Sequence, residues 1–236
     1  MAISFTNRSA DVEIMDDLLC EGEVVDQTLR ELDFINHWLG GNAVTLQALA
    51  LVWNGIPKDK AITIADLGCG SGEMLRIISA IALKQKRKVE LIGVDANPNI
   101  TQFATDHSKG FKNIQFFAHN VFEEPFKSQR FDIVLATLFT HHFSNEELVA
   151  LLKQIRAKTK HAIIMNDIHR HPLAYYSIKW LTQLFSKSAM VKFDAPLSVM
   201  RAFTKNEWIF ILKEAGIENY SLRWRWAFRW QLIIHP

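Results

Sequence analysis

The sequence predicts an α/β protein built on a mostly parallel β-sheet with helices on both faces. Two observations predict it. Short β-rich runs alternate with helix-spaced apolar runs between about residues 60 and 165. Strands that alternate with helices in this way mean a parallel sheet covered on both faces. The chain has 236 residues, 49% hydrophobic and 22% charged, which is enough for one large core with an appended cover.

The elements follow in order. Residues 1–57 read as an N-terminal helical cap. Val24, Leu29, Leu32, Phe34, Ile35, Trp38 and Leu39 recur at three- and four-residue intervals, and Gly40-Gly41 stops the run. A second helix is expected from Val44 to Trp53, before Gly55 and Pro57. The core, 58–171, opens with the strand Ile62 to Leu67, which ends in glycines. Met74, Leu75, Ile77, Ile78 and Ile81 then fall at helical spacing. Val89 to Val94 is a second strand, Pro98 to His107 a helix, and Ile114 to Phe117 a third strand. Phe131 to Ala136 is a fourth. Ser144 with Glu147 forms a capping box for a helix through Ile155, and Ala162 to Met165 is a fifth strand.

The pattern then changes. Residues 172–203 are apolar and aromatic without strand alternation, and read as a helical, lid-like insertion. In the last segment, 204–236, Thr204 with Glu207 caps a helix ending near Gly216. Tyr220 to Ile234 alternates like a terminal hairpin or strand pair. No repeat or polar linker divides the chain, so 1–236 reads as a single domain.

Charge and cysteine content narrow the function classes. The formal net charge is +2, which argues against a protein devoted to the phosphate backbone of nucleic acids. Two cysteines, Cys20 and Cys69, make no disulfide framework, so a reducing cytoplasmic setting is expected. The N-terminus carries no signal-peptide pattern. The longest apolar stretch, Met74 to Leu83, is too short for a membrane span and contains Arg76.

The chemistry begins at Asp66-Leu67-Gly68-Cys69-Gly70-Ser71-Gly72, between a strand and a helix. Glycines there permit a tight turn and let backbone approach a ligand. The spacing is Gly-x-Gly-x-Gly, not the Gly-x-Gly-x-x-Gly of dinucleotide sites, and no Lys-Ser/Thr pair of a phosphate loop follows. Asp95, at the end of the second strand, could accept hydrogen bonds from both hydroxyls of a ribose. A strand-end Asp also serves simply to cap the next helix, and Asn97-Pro98 would suit that role.

Together these segments resemble class I S-adenosylmethionine-dependent methyltransferases. Ile64 to Gly72 resembles their first motif, and Leu91 to Pro98 their second. Ala118-His119-Asn120-Val121 falls where the family carries Gly-Asp-Ala, and Phe131 to Thr137 resembles the fourth-strand motif. The resemblance covers roughly residues 60–165. It implies a Rossmann-like, seven-stranded sheet with an antiparallel last strand, and S-adenosylmethionine as cofactor. Asp66, Leu67, Gly68 and Gly70 would line the methionine part. Asp95 would hold the ribose, with Ala96 beside the adenine. Asn120 and Val121 would meet the adenine edge; Asn120 replaces the usual Asp, and its amide oxygen can still accept a hydrogen bond. Thr137 and Leu138 would lie beneath the sulfonium.

Four histidines follow strands four and five: His141, His142, His169 and His171. Ligands of open α/β sheets bind at the carboxyl ends of strands, so all four are candidates for a catalytic base, with His142 first and Asp167 or Glu146 as orienting partners. Packing or loop capping would explain the same residues. Their spacing is no zinc signature, and no metal site is expected. Cys69 is a variable position of the first motif rather than a nucleophile. The aromatic insertion would suit an apolar or aromatic acceptor and is expected to be more mobile without ligand, although an ordinary buried helix stripe accounts for Leu181, Leu184 and Phe185. Arg223-Trp224-Arg225-Trp226 reads as strand alternation, not a nucleic-acid patch.

The expected function is therefore methyl transfer from S-adenosylmethionine to an O, N or C atom of a small molecule, with no nucleic-acid partner and no integral membrane segment. The Asn/Asp-Pro-Pro-Tyr motif of amino-directed nucleic-acid methyltransferases is absent after strand four. The rival readings are a macromolecular acceptor, a non-catalytic cofactor-binding protein, and a nicotinamide-dependent reductase. Oligomeric state is not encoded in any pattern of the chain.

Overall fold

The computed structural model describes residues 4–124 and 126–236. Seven strands form one sheet: β1 (Ile62–Leu67), β2 (Val89–Asp95), β3 (Ile114–Ala118), β4 (Phe131–Thr137), β5 (Thr159–Ile168), β6 (Tyr220–Arg225) and β7 (Arg229–Ile234). Their order is β3-β2-β1-β4-β5-β7-β6. The first five pair in parallel, and β7 runs antiparallel to both neighbours. This is the mostly parallel, Rossmann-like sheet that the sequence predicts.

The central strands alternate between two apolar layers. Ile64, Ile133, Leu135, Ala162, Ile164 and Ile233 face α2 (Gly41–Trp53) and α3 (Glu73–Lys84). Ala65, Leu67, Val134, Ala136, Ile163, Met165 and Leu232 face α5 (Asn145–Arg156) and α8 (Lys205–Glu214). Period-two side-chain direction thus turns one apolar run into two core faces. Both predicted capping boxes form, at Ser144 with Glu147 and at Thr204 with Glu207. α4 (Pro98–His107) crosses between β2 and β3.

Two parts differ from the sequence reading. β5 extends beyond Ala162 to Met165 at both ends, and its C-terminal residues Asn166 and Asp167 are polar and buried. The Asn166 amide donates to the Gly41 carbonyl (2.9 Å) and Thr45 Oγ1 (3.0 Å), tying α2 to the sheet. Period-two apolarity cannot reveal such residues. The N-terminal cap is helical only from α1 (Glu23–Trp38) onward, apart from a 3₁₀ turn at Ile14–Asp16. Its backbone finds partners elsewhere: the N–H groups of Ile14 and Met15 donate to Asp194 (2.8 and 3.1 Å).

Residues 172–203 fold as α6 (Pro172–Phe185) and α7 (Ala189–Arg201), which pack on each other, while α7 also packs on α1. This pair covers the carboxyl ends of the central strands. No helix among the described residues is long and apolar enough to cross a membrane.

Trp208 on α8 is fully buried against Phe203. Trp208→Ala leaves a cavity under the sheet and is expected to cost about 3–5 kcal/mol, read as a lowered urea midpoint at unchanged slope. A loss below about 1 kcal/mol would show that α8 contributes little to the cooperative core.

Candidate active site

β2 and β4 flank β1, and the chain leaves β1 where the strand order reverses. A crevice opens there, outside the carboxyl ends of the strands. The glycine turn forms its floor. Gly68 and Cys69 N–H donate to the Val94 carbonyl (2.8 and 3.2 Å), and Gly70 N–H donates to Asp95 Oδ2 (3.3 Å). Gly68 has φ +65°, and a Cβ there would lie 2.2 Å from the Phe139 ring. Gly70 has φ +50°, with Leu29 Cδ2 at 3.8 Å as the nearest neighbour of a Cβ. The Phe139 ring thus packs directly on the Gly68 backbone, while Gly70 presents bare backbone to the crevice.

The helix-cap explanation for Asp95 applies only in part. Asn97 is the side-chain cap of α4, accepting from Asn99 and Ile100 N–H. Asp95 instead bridges the glycine turn and Asn97 N–H (3.1 Å). Burial pushes the Asp95 carboxyl up from its ordinary range. Asp66 is deeper. Burial first, and repulsion from Asp95 second, raise it to about 7, and its Oδ1 has no hydrogen-bond partner.

The crevice is one end of a cavity of about 870 Å³, within the roughly 300–1,000 Å³ of small-molecule sites. Asp66, Gly68, Gly70, Asp95, Ala96, Asn120, Val121, Thr137 and Leu138 all line it. Leu67 does not: it is buried in the layer under α5 and α8. Leu138 holds φ +53°, unusual for a branched side chain, with its N–H donating to the Asn166 carbonyl (2.8 Å). The far wall is apolar and comes from α1, α6 and α7, including Leu32, Ala174, Ile178, Leu181, Val191 and Val199.

The four histidines divide. His141 and His142 line the cavity on a 3₁₀ turn after β4. Asp167 orients His141, with Oδ1 2.7 Å from Nδ1; Oδ2 accepts the His141 N–H (3.0 Å) and the Thr140 hydroxyl. Despite full burial, these contacts hold the Asp167 carboxyl well below the usual range. Asp16 similarly holds His142 Nδ1 (2.6 Å) and pairs with Arg201. His169 and His171 do not line the cavity. His171 caps α6 by accepting from Leu173 N–H (3.1 Å), and His169 lies against Trp230.

Several lining residues have no local sequence signal. Glu13 and Asp16 come from the N-terminal segment, Asp33 from α1, and Asp194, Ser198 and Arg201 from α7. The α7 residues recur at helical spacing, but only the packed fold shows what they face.

A sheet of this order, with a Gly-x-Gly-x-Gly turn and a strand-two Asp on one cavity wall, defines an S-adenosylmethionine-dependent methyltransferase of class I. The buried, unpartnered Asp66 oxygen and the glycine cradle fit a nucleoside carrying a charged amino-acid tail. A family model described as a methyltransferase domain matches residues 58–216, and the chain belongs to that family. Among curated proteins it is 22% identical to the ubiquinone/menaquinone biosynthesis C-methyltransferase UbiE of Campylobacter jejuni, over 67% of this chain and 72% of that protein. Among solved structures it is similar to human N-acetylserotonin methyltransferase in complex with SAM (TM-score 0.66, 18% identity). That match covers 96% of this chain but only 59% of the human one. It is also similar to the plantazolicin methyltransferase BpumL in complex with SAH (TM-score 0.65, 17% identity, 89% and 88% coverage).

Asp66 makes a pH-dependent contribution to stability. Its folded value lies above its unfolded one, so its contribution is complete below about pH 4 and is lost as pH rises through about 7. Asp66→Asn removes that loss. The melting temperature of the variant relative to the parent should therefore rise between about pH 5 and about pH 8. A difference independent of pH would show that Asp66 ionises freely in the folded state.

Proposed function

We propose that this methyltransferase acts on a small apolar or aromatic molecule held beneath α6 and α7, methylating an O, N or C atom. The observation that carries this reading is continuity: one cavity joins the glycine turn to an apolar wall built by the cover helices. The cavity, of a size usual for small-molecule sites, runs past Leu138 to that wall. The free cysteines Cys20 and Cys69 support a reducing, cytoplasmic setting.

When bound, S-adenosylmethionine supplies an electrophilic methyl group on a sulfonium. The chain's own residues would do the rest. Gly68 and Gly70 would bring backbone against the amino-acid part, with Asp66 facing its ammonium. Asp95 would accept from the ribose hydroxyls, with Ala96, Asn120 and Val121 around the adenine. Thr137 and Leu138 would set the position of the sulfur. Leu181, Val191 and Val199 would exclude water and hold the acceptor in line, which is the largest contribution such a site can make.

Keeping the proton off the acceptor would fall to His141 and His142 with Glu13. Burial raises Glu13 to about 7, and its Oε1 lies 3.6 Å from His141 Nε2. His169 and His171 have no part in this arrangement.

Asp95→Ala should weaken S-adenosylhomocysteine binding by about 1.5–3 kcal/mol in calorimetry, without creating affinity for NAD or NADP. An unchanged dissociation constant would reduce Asp95 to a turn-forming residue. His142→Ala, in contrast, should lower turnover of a cavity-sized phenolic or keto acceptor by about 10²–10⁴-fold while cofactor affinity stays near that of the parent. Near-parental turnover would leave positioning alone as the source of rate. Hydrogen exchange across 172–203 should slow when the cavity is filled; uniformly slow exchange in the free protein would exclude a moving cover.

A further inference from the structure

Glu13, His141 and His142 meet at one point of the cavity wall, although they come from distant parts of the chain. One ligand-capable atom from each lies within 4.8 Å of the others. Their surroundings are those of a coordination site. Both imidazoles carry a carboxylate on Nδ1: Asp167 at 2.7 Å for His141, and Asp16 at 2.6 Å for His142. A carboxylate at Nδ1 is the arrangement by which histidine ligands of metal sites are oriented from behind, the ring then offering Nε2 to the ion.

The third group is more telling. Glu13 is buried at 5% exposure, and its Oε1 accepts no hydrogen bond. A buried carboxylate oxygen without a partner is costly unless a cation or a donor satisfies it. His141 Nε2 and Arg201 Nη1 each lie 3.6 Å from it, within ion-pair range but too far for a hydrogen bond. Arg201 is already committed to Asp16 and to the His142 carbonyl (2.9 Å). Three carboxylates, Glu13, Asp16 and Asp167, converge here, with the Arg201 guanidinium against Glu13 and Asp16 and that of Arg8 on the His141 carbonyl. Asp194 stands beside them on α7, accepting from Ile14 and Met15 N–H.

We propose that Glu13, His141 and His142 form a site for a divalent first-row transition cation, which engages an oxygen of the methyl acceptor. Two histidines and one carboxylate leave coordination positions open, a donor set suited to such ions rather than to calcium or magnesium. Glu13, His141 and His142 all line the cavity, so those open positions face the acceptor space. The substrate class follows: a molecule with a hydroxyl or an enolisable carbonyl, such as a phenol or a keto acid. A cation beside that oxygen lowers its pKa, the proton leaves to solvent, and the acceptor meets the methyl group as an anion. A bond to the methyl carbon then forms as the carbon–sulfur bond breaks, and sulfur keeps the electron pair. This inference rests on the methyl-transfer reading and explains how the cluster keeps the acceptor deprotonated.

The test starts from full-length protein treated with a chelator and titrated with Co²⁺ alone. Visible absorption and calorimetry should report one saturable site per chain. Glu13→Gln and His142→Ala should each weaken Co²⁺ binding at least tenfold, while S-adenosylhomocysteine affinity changes less than about twofold. Co²⁺ should also raise the melting temperature of the parent but not of Glu13→Gln, a near-isosteric change chosen so that the fold survives. Absence of one-to-one binding, or Co²⁺ affinity equal in parent and variants, overturns the proposal. So does full methyl transfer in excess chelator. The two readings fail separately: loss of S-adenosylhomocysteine binding would strike the methyl-transfer reading, whereas intact cofactor binding without a cation site would strike only this one.

Discussion

Asp167 is a carboxylate taken wholly out of water at the end of β5, and much of the site hangs from it. A buried charge is tolerated only where donors surround it. Here the Thr140 hydroxyl, the His141 N–H, the His141 ring and the Ile168 N–H all converge on the two oxygens. The 3₁₀ turn after β4 is thereby fixed in one conformation. That turn places His141 and His142 on the cavity wall and follows Leu138, whose left-handed backbone would be expensive in a freely moving loop. Attraction to the His141 ring, together with these hydrogen bonds, outweighs desolvation at Asp167. At Asp66, which has a free oxygen and a neighbouring carboxylate, desolvation wins.

A second set of buried charges joins the N-terminal segment to the rest. Arg8 donates to the carbonyls of His141 (3.0 Å), Phe143 (2.7 Å) and Arg201 (2.6 Å), and lies over the Phe203 ring. Arg170 reaches the carbonyls of Phe5 (3.0 Å) and Ala202 and pairs with Glu207 at 2.6 Å. A planar guanidinium can satisfy several carbonyls at once, which is why arginine can close irregular segments where no helix or strand supplies partners. The consequence is functional. Residues 4–16 are held across the site, and Glu13 and Asp16 enter the cavity wall with them.

The polar and apolar ends of the cavity follow from different physics. Near the strand ends, the glycine turn and the carboxylates of Asp66 and Asp95 border the cavity because the sheet stops there. Beneath α6 and α7, the helices turn apolar residues toward the same space. Methyl transfer asks for both: polar groups to grip a charged cofactor, and a dry wall to align a less polar partner with it.

The sequence by itself determined the sheet, the helices on its faces, the glycine turn and Asp95. Strand periodicity, capping boxes and the Gly-x-Gly-x-Gly spacing act over a few residues, so neighbours in the chain report them. It also placed four histidines near strand ends, but could not divide them. Only the tertiary structure decided that His141 and His142 line the cavity while His171 caps a helix and His169 packs on Trp230. It alone revealed Glu13, Asp16 and Arg201, and the polar extension of β5. Those residues carry no local pattern because their positions are set by long-range charge pairing and buried hydrogen bonds. Such contacts exist only after the chain has closed on itself.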